Sequence, residues 1–400
     1  MRIALCNTLY VTPEAPFMFG GAEVLVRQLA EALVAAGDEV IALRVALDGQ
    51  ARSEIVNGVT VHFLPIDNLF PPFEDKRNAL QRLAWHAIDD RWRAPRGLRQ
   101  ILADFRPDVL HSHTLNGLSA DVWRVAHGLG IPVVHTLHDY YLSCPRCSRF
   151  KDGVACEQTC GSCGLLTTQR RQRAQKLDAV TSVSEKTLDI HRCTGALSAQ
   201  TPTYVVRNIP NPEVQLAPPL PYEGVLKVGY IGRFAEEKGV QMLIEAIGRL
   251  PAEAIELKLA GRVNREEQAR LTALAPKARL EFLGFVDPKG FYEGVHMTVA
   301  PSLWHEPAGL VVQDSLVAGR PVLCTDRGGM QESIEPGVTG WVVEATAAAL
   351  AAQLERLIVD PVRIDQAYRV LSGLEASRRR FPDLVREYRD IYVGLSRKAA

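Results

Sequence analysis

Two carboxylates, Glu306 and Asp314, lie eight positions apart across the start of a predicted helix in the stretch WHEPAGLVVQDSLVAGRP, residues 304–321. A helix opening at Gly309, Leu310 and Val311 presents backbone N–H groups without intrahelical partners, and with the helix dipole these make an anion site suited to a diphosphate. Glu306 would then face one side of the anion. Asp314, a turn or more inside, would accept hydrogen bonds from sugar hydroxyls on the other. The same spacing also fits an ordinary helix start with a glutamate in its approach loop.

A second group, GRFAEEKG at 232–239, directly follows an apolar run that reads as a strand. Arg233 suits bidentate oxygen contacts and Lys238 a point-charge contact, so together they could neutralise a diphosphate as the bond to its sugar breaks. Alternatively both are solvated loop charges beside Glu236 and Glu237. Both segments fall at the carboxyl ends of strands in one half of the chain, where open α/β sheets gather their ligands.

The third chemical feature is a run of cysteines. Cys144, Cys147, Cys156, Cys160 and Cys163 put five of the eight cysteines into a twenty-residue stretch. A loop this rich in Gly, Arg and Asp has little with which to build its own core. The spacing is compatible with a structural zinc tetrathiolate on Cys144, Cys156, Cys160 and Cys163, with Cys147 as a substitute ligand. It is equally compatible with reduced, partly buried thiols, and more remotely with an iron–sulfur cluster.

The elements that must position these residues alternate strand and helix. Arg2 to Leu9 is a short apolar run, followed by a loop ending in Gly20 and Gly21, a helix-period stretch from Val24 to Leu33 and a second run from Glu39 to Leu43. This is a βαβ unit. Further strands are expected at Val59 to Leu64, Val109 to His111, Val133 to Leu137, Ala179 to Val183 and Thr203 to Val206, giving a parallel, doubly wound first half. The segment NPEVQLAPPLP between Pro210 and Pro221 carries enough proline to forbid regular structure and reads as a linker. Strands then resume at Leu226 to Ile231, Ile255 to Ala260, Leu280 to Leu283, Val295 to Ala300 and Pro321 to Cys324, a second Rossmann-like unit. The resulting domains are 1–212, with the cysteine-rich insertion at 144–163, and 213–375. A final amphipathic helix within 376–400 either finishes the second domain or crosses back to the first.

Composition narrows the field. Lys plus Arg equals 46 and Asp plus Glu equals 46, so no global charge draws the chain toward nucleic acid. No apolar run approaches the ~20 residues needed to span a bilayer, and Met1 to Tyr10 reads as a first strand rather than a signal peptide. A cytoplasmic protein is expected. Locally, RWRAPRGLR from Arg91 to Arg99 is basic and amphipathic, which suits either peripheral contact with a membrane face or a solvated helix face.

Five segments together resemble the retaining glycosyltransferases of family 4, which have the two-domain GT-B fold: GGAE at 20–23, HTLHDYYLSCPR at 135–146, GRFAEEKG at 232–239, PSLWHEPAGLVVQDSLVAGRPV at 301–322 and GGMQESIEPGVTGWVV at 328–343. They run nearly the whole length. The resemblance implies an α/β protein of two Rossmann-like domains whose parallel sheets face across a cleft. It implies that Arg233 and Lys238 hold the donor diphosphate, that Glu306 contacts the transferred sugar and that Asp314 binds ribose hydroxyls. Gly20 and Gly21 would bring backbone N–H groups near the distal phosphate. His138 matches the family's active-site histidine, while His135 reads more simply as a strand-end residue.

The expected reaction is transfer of a sugar from a nucleotide-sugar donor, with its anomeric configuration retained, to a glycan or lipid-linked acceptor in cell-surface or exopolysaccharide assembly. Front-face attack needs no protein nucleophile, so the protein's work would be positioning and charge stabilisation. No DxD-like pair demands a divalent cation, and transfer is expected to be metal independent. Two departures from the family stand out. Asp314 replaces the usual glutamate and Ala308 an often-found phenylalanine, which shifts one acceptor of hydrogen bonds and enlarges the space beside the sugar. Rival readings are a GT-B nucleotide-sugar epimerase and a non-catalytic nucleotide-sugar-binding protein on the same fold.

Overall fold

The computed structural model describes residues 1–12, 20–72, 77–91, 94–374 and 379–399. The chain divides into two compact units: Met1–Arg149, Glu157–Asn208 and Arg380–Ala400 form one, Phe150–Cys156 and Ile209–Arg379 the other. Each is built on its own sheet.

The first sheet contains β1 (Arg2–Cys6), β2 (Glu39–Ala46), β3 (Arg52–Val56), β4 (Val59–Pro65), β5 (Val109–Ser112) and β6 (Val133–Leu137). After a two-stranded hairpin of β7 (Phe150–Lys151) and β8 (Val154–Ala155), it is completed by β9 (Ala179–Ser182) and β10 (Thr203–Val205). The order is β10-β9-β6-β5-β1-β2-β4-β3. β5, β6 and β9 are buried along their whole length, as expected for parallel strands covered on both faces. The expected doubly wound parallel sheet is present, with one addition. β3 runs antiparallel to β4 through a two-residue turn at Asn57 and Gly58, both with positive φ, the conformation that favours Asn-Gly in a tight hairpin.

Helix Gly21–Ala35 covers this sheet with Leu25, Val26, Leu29, Ala30 and Leu33, which recur at helical spacing. The last helix, Phe381–Ala399, also belongs to the first unit. It buries Leu384, Tyr388, Ile391, Tyr392 and Leu395, and Tyr392 Oη lies 2.6 Å from His111 Nδ1 at the end of β5. Within the basic run Leu98 turns inward, as does Leu102 beyond it, while Trp92 and Arg93 lie outside the described residues.

The second sheet contains β11 (Leu226–Ile231), β12 (Ile255–Ala260), β13 (Arg279–Gly284), β14 (Met297–Ala300), β15 (Val322–Thr325) and β16 (Gly340–Val343). All are parallel, in the order β13-β12-β11-β14-β15-β16. The chain winds outward from β11 to β13, then restarts at β14 on the other side of β11. The loops after β11 and β14 therefore leave the sheet side by side, at the point where strand order reverses. Each unit is Rossmann-like, and together they make the GT-B architecture. No helix among the described residues is long and apolar enough to cross a membrane.

Candidate functional site

The site in the second unit starts from a close approach of two backbones. Gly239 has φ +72°, and a Cβ there would lie 1.9 Å from the carbonyl oxygen of Pro301. Only glycine lets the GRFAEEKG loop after β11 press against the PSLWHEP loop after β14. The contact is fastened by Leu303 N–H, which donates to the Glu237 carbonyl at 2.9 Å.

That approach sets Lys238 against Glu306. Lys238 Nζ donates to Glu306 Oε2 at 2.5 Å, and the same oxygen accepts from Trp304 Nε1 at 3.0 Å and from Ser302 Oγ at 3.3 Å. The ammonium also lies 5.2 Å from the centroid of the Trp304 ring, within cation–π range. One carboxylate oxygen thus takes three donors, and Oε1 is left for other work. The Glu306 backbone is gripped as well: Gly329 N–H donates to its carbonyl at 2.7 Å, and a Cβ at Gly328, whose φ is +71°, would lie 2.1 Å from that carbonyl oxygen. Three loops therefore fix one carboxylate and one cation at the carboxyl end of the sheet.

The neighbouring helix runs from Leu310 to Val317 with Gly309 before it in the left-handed region. Leu310 and Val311 supply its first backbone N–H groups. Asp314 faces away from simple solvent: its Oδ1 accepts from Asn211 N–H at 2.7 Å, and burial pushes its carboxyl up to about 6 despite that bond. Arg233 behaves differently. Its side chain is 72% exposed and pairs with Glu237 at 3.2 Å, so it stands at the rim rather than in the Lys238–Glu306 contact.

The Asp314 carboxyl gives a signed prediction. Its folded pKa lies above the ordinary value near 4, so the folded state holds a proton that the unfolded chain has released. The resulting cost is absent below about pH 4, grows through the window from 4 to about 6 and is complete above it. The difference corresponds to about 3 kcal/mol. Asp314→Asn keeps an acceptor for Asn211 N–H and removes the titration. Thermal melts from pH 4 to 7 are expected to show the variant gaining stability over the parent as pH rises; parallel curves would overturn this.

In the first unit, Gly20 caps helix Gly21–Ala35, and its N–H donates to Glu23 Oε2 at 2.9 Å. Residues 13–19, which precede it, lie outside the described residues. His138 follows β6 and is half-buried. Its Nε2 lies 3.0 Å from Nδ1 of His113, the residue after β5. Burial lowers the pKa of His138 to about 4 and holds His113 and His111 well below the ordinary value for histidine. His135 is buried within the sheet, its Nδ1 3.0 Å from Ser112 Oγ and its ring packed on Trp123. Beside His138, burial pushes the Asp139 carboxyl up to about 7, while Tyr141 N–H, donating to it at 2.7 Å, opposes the shift.

The cysteines are distributed unevenly. Cys144 is buried, and the Cys163 thiol together with the backbone N–H groups of Arg149, Arg146 and Ser148 lowers its pKa to about 6. Cys163 also contacts Cys160, whose Sγ lies 3.3 Å from Ser162 Oγ. Cys147 is turned elsewhere, toward Asn116 at 3.2 Å, and Cys156 follows the β7–β8 hairpin. No group of three or more His, Cys, Asp or Glu side chains among the described residues is arranged to hold a metal ion.

Sequence reasoning did not single out Ser302, the Trp304 indole as a donor, His113 or Asp139. The signals were weak. A serine in a loop and an HSH triplet in a strand have many uses, and only the fold brings them to Glu306 and His138.

Comparison with known proteins bears on what this arrangement can do. Residues 226–360 match the family model for glycosyl transferases group 1, and residues 20–208 match that for a glycosyl transferase 4-like domain. An uncharacterized 42.6 kDa protein in the cps region of Klebsiella pneumoniae is 30% identical over 334 residues, covering 83% of this chain and 87% of its own. The phosphatidyl-myo-inositol mannosyltransferase of Mycobacterium leprae is 28% identical over 383 residues, covering 91% of each chain. Among solved structures, Anabaena HepE in complex with UDP and glucose superposes with a TM-score of 0.69 at 18% identity, covering 98% of this chain and all of that one.

Proposed function

This chain belongs to the family 4 type glycosyltransferases of GT-B fold, and from that premise we propose that it transfers a sugar from a nucleotide-sugar donor to a glycan or lipid-linked acceptor, with retention of configuration. The observation that carries the reading is the Lys238–Glu306 pair, held by three loops at the strand-order reversal of the second sheet. A fixed ammonium beside a fixed carboxylate suits a leaving diphosphate joined to a hydroxyl-bearing ring. Lys238 takes the charge that develops on the diphosphate, and the free oxygen of Glu306 accepts from a sugar hydroxyl. Arg233, exposed at the rim, adds a second cation once the donor is bound. Asp314 binds ribose hydroxyls through the oxygen that Asn211 leaves open, and the N–H groups opening helix Leu310–Val317 face phosphate oxygens. In the first unit, which binds the acceptor, His138 and the backbone around Gly20 and Gly21 are the groups that the family resemblance assigns to substrate. No step in this scheme calls for a divalent cation.

The acceptor belongs to cell-surface or exopolysaccharide assembly. A relative in a cps region and another named for mannosyl transfer to phosphatidyl-myo-inositol support that assignment. Exposed Leu80 and Leu83 on helix Ala79–Arg91 and exposed Leu69 nearby support peripheral contact with a membrane carrying the acceptor.

The donor half is tested directly by saturation-transfer NMR against a panel of UDP, GDP, ADP and TDP sugars. One nucleotide series is expected to bind, with the sugar signals lost in Glu306→Ala while the nucleotide signals persist. Binding of no member, or unchanged sugar contacts in the variant, would overturn the assignment of Glu306.

A further inference from the structure

The contact between His113 and His138 fixes more than a distance. Two neutral imidazoles that share a hydrogen bond have one proton between them, so one ring donates and the other accepts. Both rings are kept neutral by burial. The direction of the bond follows from the far side of His113. That ring is 3% exposed, and its Nε2 is buried with no hydrogen-bond partner among the described residues. The neighbouring His111 does not supply one, because its Nδ1 faces Tyr392 Oη and its Nε2 faces Thr136 Oγ1, both at 2.6 Å. The rings of His111 and His113 pack with their centroids 4.0 Å apart instead. Orphaned buried N–H groups are the rarer exception in folded proteins and under-satisfied acceptors the less rare one, which favours a bare Nε2 on His113. The proton of His113 therefore sits on Nδ1 and points at His138.

We propose that His113 is a positioning residue that holds His138 in the Nδ1–H form, so that the site presents a hydrogen-bond donor at this point and not a base. His138 Nε2 accepts from His113 Nδ1, and the single proton of the neutral His138 ring is left on Nδ1, the nitrogen that His113 does not engage. The ligand group that fits is an acceptor oxygen. On the glycosyl-transfer reading, on which only the identity of the ligand rests, that oxygen belongs to a substrate of the transfer. It follows that His138 does not deprotonate the attacking hydroxyl.

The tautomer can be read without substrate. Long-range proton–nitrogen NMR of the full chain labelled with nitrogen-15 in histidine, with the His138 signals assigned by their loss in His138→Gln, reports which ring nitrogen carries the proton. The expected result is Nδ1–H in the parent. In His113→Phe, which keeps the ring but cannot donate, the proton is expected to move to Nε2, with kcat/KM falling about 10- to 100-fold. In His113→Asn the side-chain amide stands in for Nδ1–H, and the parent tautomer and most activity return. Nε2–H in the parent, or an unchanged tautomer in His113→Phe, overturns the proposal. Should His113→Phe fail to fold, the parent spectrum still decides. A protein with the expected tautomer but no transferase activity would sink the functional reading and leave this one standing.

Discussion

Lys238→Ala is expected to lower kcat/KM for sugar transfer by roughly 100- to 1,000-fold, the loss typical when one preorganised group that stabilises developing charge is removed. The ammonium is held by Glu306 and by the Trp304 ring, so it needs no reorganisation when the diphosphate departs. Truncation also leaves Glu306 with Trp304 and Ser302 as remaining donors, which keeps the carboxylate in place. Stability should change far less than activity. Initial rates with a binding donor, set beside a thermal melt of the same preparation, separate the two effects. Near-normal turnover would remove Lys238 from the diphosphate, and a collapse of the melt would assign it to folding instead.

The largest effect on stability is expected at Gly239. Its positive φ alone makes alanine unfavourable by about 1–2 kcal/mol, and a methyl group would overlap the Pro301 carbonyl, a backbone atom that cannot rotate away. Gly239→Ala should cost about 3–5 kcal/mol and part the two loops. Gly337 is the matched control, because its φ of +80° is similar and nothing lies within 4 Å of a Cβ placed there. Gly337→Ala should cost only about 1 kcal/mol. Denaturant unfolding of the three proteins provides the comparison, and equal midpoints for the two variants would show that the close approach contributes nothing.

How much of this was legible without coordinates depended on burial. Strands sealed on both faces announce themselves as apolar runs, and Leu226–Ile231, Val133–Leu137 and Ala179–Ser182 stand where those runs do. β3 gave no such signal. Its Ile55 is 78% exposed and the three residues before it, Arg52, Ser53 and Glu54, are charged or polar, so only the Asn57–Gly58 turn could have marked it. The contact between Lys238 and Glu306 was not legible either. The two residues are far apart in the chain and meet because β11 and β14 are neighbours in the sheet, a fact of strand order that no local pattern encodes. Spacing placed Asp314 on the right helix but said nothing of Asn211, whose backbone N–H takes one of its oxygens. Likewise, the cysteines were visible as a cluster in sequence, while the turn of Cys147 toward Asn116 depends on packing around residue 116.

The helix Phe381–Ala399 sets a condition on how the protein is made. Its tyrosines pack beside His111 in the sheet that begins at Arg2, so the first unit to leave the ribosome is the last to be finished. At a synthesis rate of about 5–20 residues per second, the stretch between Asn208 and Arg380 takes roughly ten to thirty seconds to appear. Throughout that interval the nascent first unit lacks the helix that packs beside His111, while the second unit is nearly contiguous in sequence. The first unit can therefore be completed only after the second has been synthesised, and the nineteen-residue helix serves as the closing stitch.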